Sequence, residues 1–151
     1  MLADRKFALV AFFGLSVLTT VFGQAPSAAR PSARRSVWDG VYSVEQAERG
    51  GSLYNKECAS CHEGGEEAPS LQGATFVATW NGQSVDDLFE NIRHNMPPND
   101  PGHLSKQQYA DVVTHIFSVN KFPVGKAELP VEAEVMKNIQ ILQYAPSGRK
   151  N

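Results

Sequence analysis

The clearest hydrophobic pattern in the chain lies between residues 105 and 120. Ser105 and Gln108 have the spacing of a capping box, in which two side chains bond the free backbone N–H groups at a helix start. Apolar side chains then recur at i, i+3, i+4, i+7 and i+8, the spacing of one buried helix face: Tyr109, Val112, Val113, Ile116 and Phe117. The pattern predicts an α-helix that ends near Asn120, before Pro123.

A second helix is predicted upstream. Ser43 and Gln46 form another S-x-x-Q capping box, and the helix that starts there runs into Cys58. Its buried face contains Gly50, although Gly costs a helix about 1 kcal/mol relative to Ala. A Gly at such a position indicates close approach of another helix, and the 105–120 helix is the expected partner.

A third helix is predicted from Ser84. Its apolar stripe has helical spacing and consists of Val85, Leu88, Phe89 and Ile92. It should stop around His94 and Asn95, because Pro97 disfavours a helical conformation in the residue before it. A short turn with Phe76 and Trp80 precedes this helix.

No stretch of the chain forms a convincing strand, so the predicted fold class is all-α. Residues 63–75 and 96–103 are predicted to be irregular. Three short helices make a thin core for the section 37–130, and domains of this size often need a staple or a cofactor. Long loops in a compact domain usually wrap around something.

Both ends of the chain differ from its middle. Residues 1–23 have two adjacent basic residues near their start, continue with an uncharged apolar run and end in small residues, the order of a secretory signal peptide. The apolar run would span about 24 Å as a helix, less than the roughly 30 Å hydrocarbon core, which favours cleavage over an uncleaved membrane anchor. Residues 24–36 are predicted to be a flexible linker. Residues 131–151 form a C-terminal extension that could pack back on the domain or dock a partner.

Charge is unevenly distributed along the chain. The full chain has a net charge of −2, but residues 37–130 contain six basic and thirteen acidic residues, a net charge of −7. An acidic domain argues against nucleic-acid binding and favours a partner with a positive face, although the charge could simply maintain solubility.

Residues 58–62, CASCH, contain both cysteines of the chain, Cys58 and Cys61, followed directly by a histidine. A structural zinc site needs four ligands, and here no second cysteine pair exists, while His94 and His103 are nine residues apart. A thioredoxin-like dithiol is expected near a βαβ unit. A disulfide across two residues closes a tiny loop and adds little stability. C-x-x-C-H is also the attachment signal of c-type haem, which the leader, the helices and the thin core favour.

Haem attachment at this motif would make His62 one axial ligand of the iron. The opposite position has two internal methionine candidates. Met96 lies in an Asn-Met-Pro-Pro turn directly after the third helix, whereas Met136 lies in the weakly patterned tail. We expect Met96 to be the second axial ligand, with His94 as its main rival and a vacant position as a further alternative.

These features resemble the class I cytochrome c family, whose members are small monohaem electron carriers. Gly50 and Tyr54 stand where the family has a Gly and an aromatic residue ahead of the first Cys. Met96-Pro97 is similar to the family's distal ligand motif, and residues 104–120 are similar to its closing helix. The resemblance covers roughly residues 44–129, and 76–102 are similar to compact bacterial members, including cytochrome subunits of periplasmic dehydrogenases or oxidases.

The resemblance implies a cytochrome c fold of three to four short helices wrapped around one covalently attached haem c. It also implies that the carbonyl of Pro69 accepts a hydrogen bond from His62. Trp80 is a candidate to reach a haem propionate through its indole N–H, since a buried Trp usually needs such a partner. His103 and His115 are expected at the surface. The segment EGGEEAP departs from the family, so a lysine-rimmed haem edge is not expected.

The functional prediction is a periplasmic single-electron carrier with His62 and Met96 as ligands, not an enzyme in its own right. It would act alone or as the cytochrome subunit of an oxidoreductase complex. The alternative is a haem sensor or a peroxidase-like protein, which would need an open distal site in place of Met96. Expected partners are redox proteins (a dehydrogenase, an oxidase or another cytochrome), and a membrane only if the leader stays uncleaved.

Overall fold

A computed structural model describes residues 35–64 and 68–147. Its elements follow the chain in this order: β1 (Arg35–Ser36), a 3₁₀ turn (Val37–Asp39), α1 (Val44–Glu57), α2 (Ala59–His62), α3 (Gly73–Trp80), α4 (Val85–Asn95), α5 (Lys106–Val119), α6 (Ala133–Met136) and β2 (Ile139–Gln140). The all-α class and the three predicted helices are confirmed. The predicted leader and most of the predicted linker lie outside the described residues. Within 35–64 and 68–147, no helix has the length and apolar character needed to cross a membrane.

The crossing of α1 and α5 is the main helix contact of the fold, as Gly50 predicts. A Cβ atom added to Gly50 would overlap the backbone carbonyl oxygen of Asp111 on α5. Beside the crossing, Arg49 donates two hydrogen bonds of 3.1 Å to the Asp111 carboxylate. Only glycine permits this backbone approach, which packs α1, the helix that leads into the cysteine motif, directly against α5.

The predicted helix starts are confirmed, with one correction. Ser105 and Gln108 form a complete capping box on α5. Ser43 accepts the N–H of Gln46 at the start of α1, but Gln46 does not return the bond. Its amide is buried, donates to the carbonyl of Leu129 at 3.1 Å and accepts the Leu129 N–H at 2.6 Å. The buried backbone at Leu129 has no helix or sheet partner, so a side chain satisfies it.

The predicted turn around Phe76 is instead the helix α3. Phe76 is buried in the core, and Trp80 is the last residue of the helix. Asn120, the C-cap of α5, ties the start of α3: its side chain donates to Leu71 O at 2.8 Å and accepts the Gly73 N–H at 2.9 Å. Because this cap comes from 47 residues further along the chain, no local sequence pattern indicates it.

The C-terminal extension packs back on the domain as far as residue 143. β2 pairs in parallel with β1. The hydrophobic pattern predicts neither of these two short strands. The turn between α3 and α4 bonds to Ile141 through Gly82 N–H (2.7 Å) and Gln83 O (2.9 Å). Three apolar side chains of the extension are fully buried in the core: Met136, Ile139 and Ile141.

Candidate functional site

The cysteine motif forms one turn at the end of α1. Cys58 ends α1, with its N–H bonded to Tyr54 O at 2.8 Å, and it also precedes α2. The N–H groups of Cys61 and His62 both bond back to Cys58 O, at 3.2 and 3.0 Å. Both thiols are free and half-buried. The helix geometry therefore presents two thiols and an imidazole from five consecutive residues.

The surroundings of Cys58 oppose a thiolate. Burial raises the pKa of this thiol to about 11, and the nearby Glu57 and Cys61 act in the same direction. A reactive dithiol or a zinc thiolate needs electropositive surroundings, which depress the thiol pKa. In addition, the described residues contain no group of three His, Cys, Asp or Glu that could hold a metal ion. An uncharged thioether suits this position better than a thiolate does.

His62 is oriented by the loop that follows it. Its Nδ1 lies 2.7 Å from the carbonyl oxygen of Pro69, the contact that the family resemblance implies. Because a carbonyl only accepts, Nδ1 carries the proton and the Nε2 lone pair is left available for a metal. An open cavity of about 560 Å³ adjoins the ring and is lined by His62, Glu63, Gly64, Ala68, Ser70 and Gln72.

Met96 stands where α4 ends. It is the C-cap residue, half-buried, with its N–H bonded to Ile92 O at 2.8 Å. Its rival His94 is exposed on α4, and its Nε2 lies 2.9 Å from Glu90 Oε2. Met136 is fully buried in α6. Of these three side chains, only Met96 is neither paired with a surface carboxylate nor enclosed in the core.

Several apolar side chains that pack against the core are only partly buried. They come from α1 to α4 and the adjoining loops: Leu53, Cys58, Ala59, Leu71, Val77, Trp80, Met96 and Leu104. Trp80 belongs to this set. A large planar apolar group fits such a set, and the donor types present (two thiols, an imidazole and a thioether) match haem c. The residues of the chain thus fit the cofactor.

Sequence reasoning missed the environment of Tyr54 and His115. The predicted surface position of His115 is wrong: it is half-buried on α5, and its ring packs on Tyr54 with centroids 4.9 Å apart. Burial lowers the pKa of His115. It also raises the pKa of Tyr54 to about 12, with Glu63 and Cys58 contributing, and the Tyr54 hydroxyl has no hydrogen-bond partner among the described residues. No local signal was available, because His115 lies outside the apolar stripe of α5 and is covered by the crossing with α1.

A family model described as "Cytochrome C oxidase, cbb3-type, subunit III" matches residues 45–116. The match spans α1 to most of α5 and contains the whole CASCH motif. This match supports a monohaem c-type cytochrome domain at residues 45–116. Comparison with the curated proteins and with solved structures found no significant match.

The matched domain also bears on the chemistry of the cysteine motif. A c-type cytochrome domain holds covalent haem c, and Cys58 and Cys61 have the spacing of its attachment motif. The general activity of the domain is haem-based electron transfer.

Proposed function

We propose that this protein is an exported single-electron carrier with one haem c, attached through Cys58 and Cys61 and ligated by His62 and Met96. It works alone or as the cytochrome subunit of a dehydrogenase or oxidase complex. The observation that carries the proposal is the 2.7 Å contact between His62 Nδ1 and Pro69 O, because it holds the imidazole with Nε2 available.

Each residue of the site has a defined task. When bound, haem c supplies the Fe(III)/Fe(II) couple. The two thiols anchor the group, and Pro69 fixes the ring of His62, which increases the basicity of Nε2. The Met96 thioether is a weak, soft donor that raises the potential relative to a second histidine. The half-buried apolar side chains of α1 to α4 would cover the bound group and exclude water from it.

A filled distal position separates the proposal from its alternative. With Met96 as a ligand, small molecules have no free coordination site, as suits a carrier. A haem sensor or peroxidase-like protein would need that site open. The half-buried position of Met96 at the end of α4, together with the surface pairing of His94 with Glu90, supports Met96 as the ligand.

Charge and the leader support the proposed location and partners. The basic and apolar pattern of residues 1–23 supports export to the periplasm. The net charge of −7 on residues 37–130 supports docking with a redox protein that presents a positive face. The matched family is described as an oxidase subunit, which supports a role within or beside a respiratory complex.

Matched methionine substitutions test the ligand assignment. The protein would be produced in a bacterium with haem-attachment machinery, and covalent haem would be detected by peroxidase staining on a denaturing gel. Met96→Leu should abolish the weak charge-transfer band of a thioether on ferric haem and lower the midpoint potential. Met136→Leu is the control, since it removes the other internal thioether from a buried site and should change neither.

Three results would contradict the proposal. If Met96→Leu keeps the thioether band and potential of the wild type, Met96 is not the ligand. If the unmodified reduced protein binds CO rapidly, the distal position is open and the sensor or peroxidase alternative gains support. A chain without stained haem would contradict covalent attachment.

A further inference from the structure

The loop that follows Met96 is unusually restricted. Residues 97–102 contain three prolines, whose rings fix their backbone φ angles. A turn within the loop is closed by the Asp100 N–H, which donates to Pro97 O at 3.0 Å. Proline has no N–H, so three of the six residues in this loop have no backbone donor with which to bond the domain. Its attachment must come from other elements.

One side chain of α5 supplies that attachment at both ends of the loop. The Tyr109 hydroxyl donates to Met96 O at 3.0 Å, and the same oxygen accepts the Gly102 N–H at 2.9 Å. A single phenol oxygen therefore joins the first and last residues of the segment 96–102. The bond to Met96 O acts directly on the residue that carries the proposed ligand side chain.

The phenol is itself rigidly placed. Tyr109 is buried, and its ring meets the ring of Phe89 on α4 edge-on, with centroids 6.4 Å apart. Its backbone N–H bonds to Ser105 O at 3.0 Å within the capped first turn of α5. The packing of α4 against α5 therefore fixes the position of the hydroxyl that bonds the Met96 loop.

We propose that Tyr109 is a positioning residue for the sixth ligand: its hydroxyl holds the loop so that Met96 stays on the iron. This inference rests on the proposed function, because it requires Met96 to be a ligand. Tyr109 itself touches neither the iron nor the thioether sulfur in this role. Its contribution is to lower the rate and extent of loop opening, and so to oppose replacement of Met96 by other ligands.

The affinity of the ferric protein for external imidazole measures how strongly the loop resists replacement of Met96. An external imidazole binds only when Met96 leaves, and its binding is followed by loss of the thioether charge-transfer band. Tyr109→Phe keeps the ring and removes the hydroxyl. We expect it to raise the apparent imidazole affinity by about threefold to tenfold, the effect of losing one or two buried hydrogen bonds. The Gly102 amide should exchange with solvent deuterium faster by a similar factor.

Tyr42→Phe is the matched control. The Tyr42 hydroxyl is equally buried and also donates to a backbone carbonyl, Phe122 O at 2.7 Å, but that bond joins other segments. The control should change the imidazole affinity by less than about twofold, although it loses a comparable hydrogen bond. Met96→Ala, which leaves no thioether to displace, should raise the affinity far more than either.

The outcomes separate the positioning role from the ligand assignment. If Tyr109→Phe binds imidazole like the wild type while Met96→Ala binds it much more tightly, the positioning role is wrong and the ligand assignment stands. If both tyrosine variants raise the affinity equally, the cause is general loosening of the fold and the positioning role is again wrong. If Met96→Ala equals the wild type, Met96 is not the ligand, and both the proposed function and the inference fail.

Discussion

The two segments that carry the proposed axial ligands are restrained in different ways. On the His62 side, most of the described loop residues (63–64 and 68–72) are exposed, and among described residues the ring is held by a bond to Pro69 O. On the Met96 side, α4 and the loop after it are tied by Tyr109. The difference follows from the proposed chemistry: thioether bonds would hold the His62 side covalently, whereas a thioether ligand on the other side depends on the fold to stay in place.

This contrast indicates that a substitution that destabilises the fold should loosen the Met96 segment more than the His62 segment. The C-terminal extension strengthens the contrast, because Ile141 is hydrogen-bonded to the turn that leads into α4. The extension and Tyr109 therefore both act on the Met96 side. Variants on each side test whether the two sides really differ, from the largest expected effect to the smallest.

The largest effect is expected from removal of the covalent anchors. Cys58→Ser combined with Cys61→Ser should abolish covalent haem completely, measured by peroxidase staining on a denaturing gel. Ser60→Ala, within the same turn, should retain full staining. If the double variant still carried stained haem, the His62 side would not be held by these thiols and the comparison would fail.

Ile141→Ala should weaken the fold and the Met96 side together. The side chain is fully buried, so the substitution should lower the free energy of unfolding by about 2–5 kcal/mol. It should also raise the imidazole affinity of the ferric protein. Val135→Ala is the control, because Val135 is an exposed position of α6. A loss below about 1 kcal/mol in chemical denaturation would show that the extension is not part of the cooperative unit.

Asn120→Ala tests the His62 side with a smaller change. Asn120 ties Leu71 and Gly73, which follow the Pro69 loop, so its loss should lower the free energy of unfolding by about 1–2 kcal/mol. Because the His62 side is held covalently in the proposed holoprotein, the imidazole affinity should remain that of the wild type. If Asn120→Ala raised the imidazole affinity as much as Tyr109→Phe does, the two sides would not differ in the way proposed.

The smallest effect concerns the pH dependence of stability at His115. Burial lowers its pKa in the folded protein. As the pH falls below about 6.5, the unfolded chain binds a proton before the folded one does, so stability is lost through this range. His115→Gln should flatten the decline in the free energy of unfolding between about pH 7.5 and pH 5, measured by denaturant titration.

The imidazole affinity at neutral pH serves as a control for this prediction. His115→Gln should leave it unchanged, because His115 packs on Tyr54 and not on the Met96 loop. An unchanged pH dependence of stability in the variant would contradict the buried, neutral state of His115.

Local sequence patterns determined the parts of the structure whose cause is local. The helix starts at Ser84 and Ser105 are fixed by pairs of side chains three residues apart, and the start at Ser43 by its own side chain. The cysteine motif needs only five consecutive residues. Gly50 indicated the helix crossing because a glycine weakens a helix and is favoured on its buried face where a second backbone comes close. The cysteine motif alone left several kinds of site open, and the leader, the helices and the thin core favoured haem.

The tertiary structure alone decided the features whose partners are distant in the chain. Gln46 bonds Leu129 across 83 residues, and Trp38 Nε1 donates to Leu142 O across 104 residues. The helix α3, the packed extension and the tie from Tyr109 to Met96 share this property. Their cause is the need of buried backbone groups for hydrogen-bond partners, and which side chain meets that need is settled only when the helices pack.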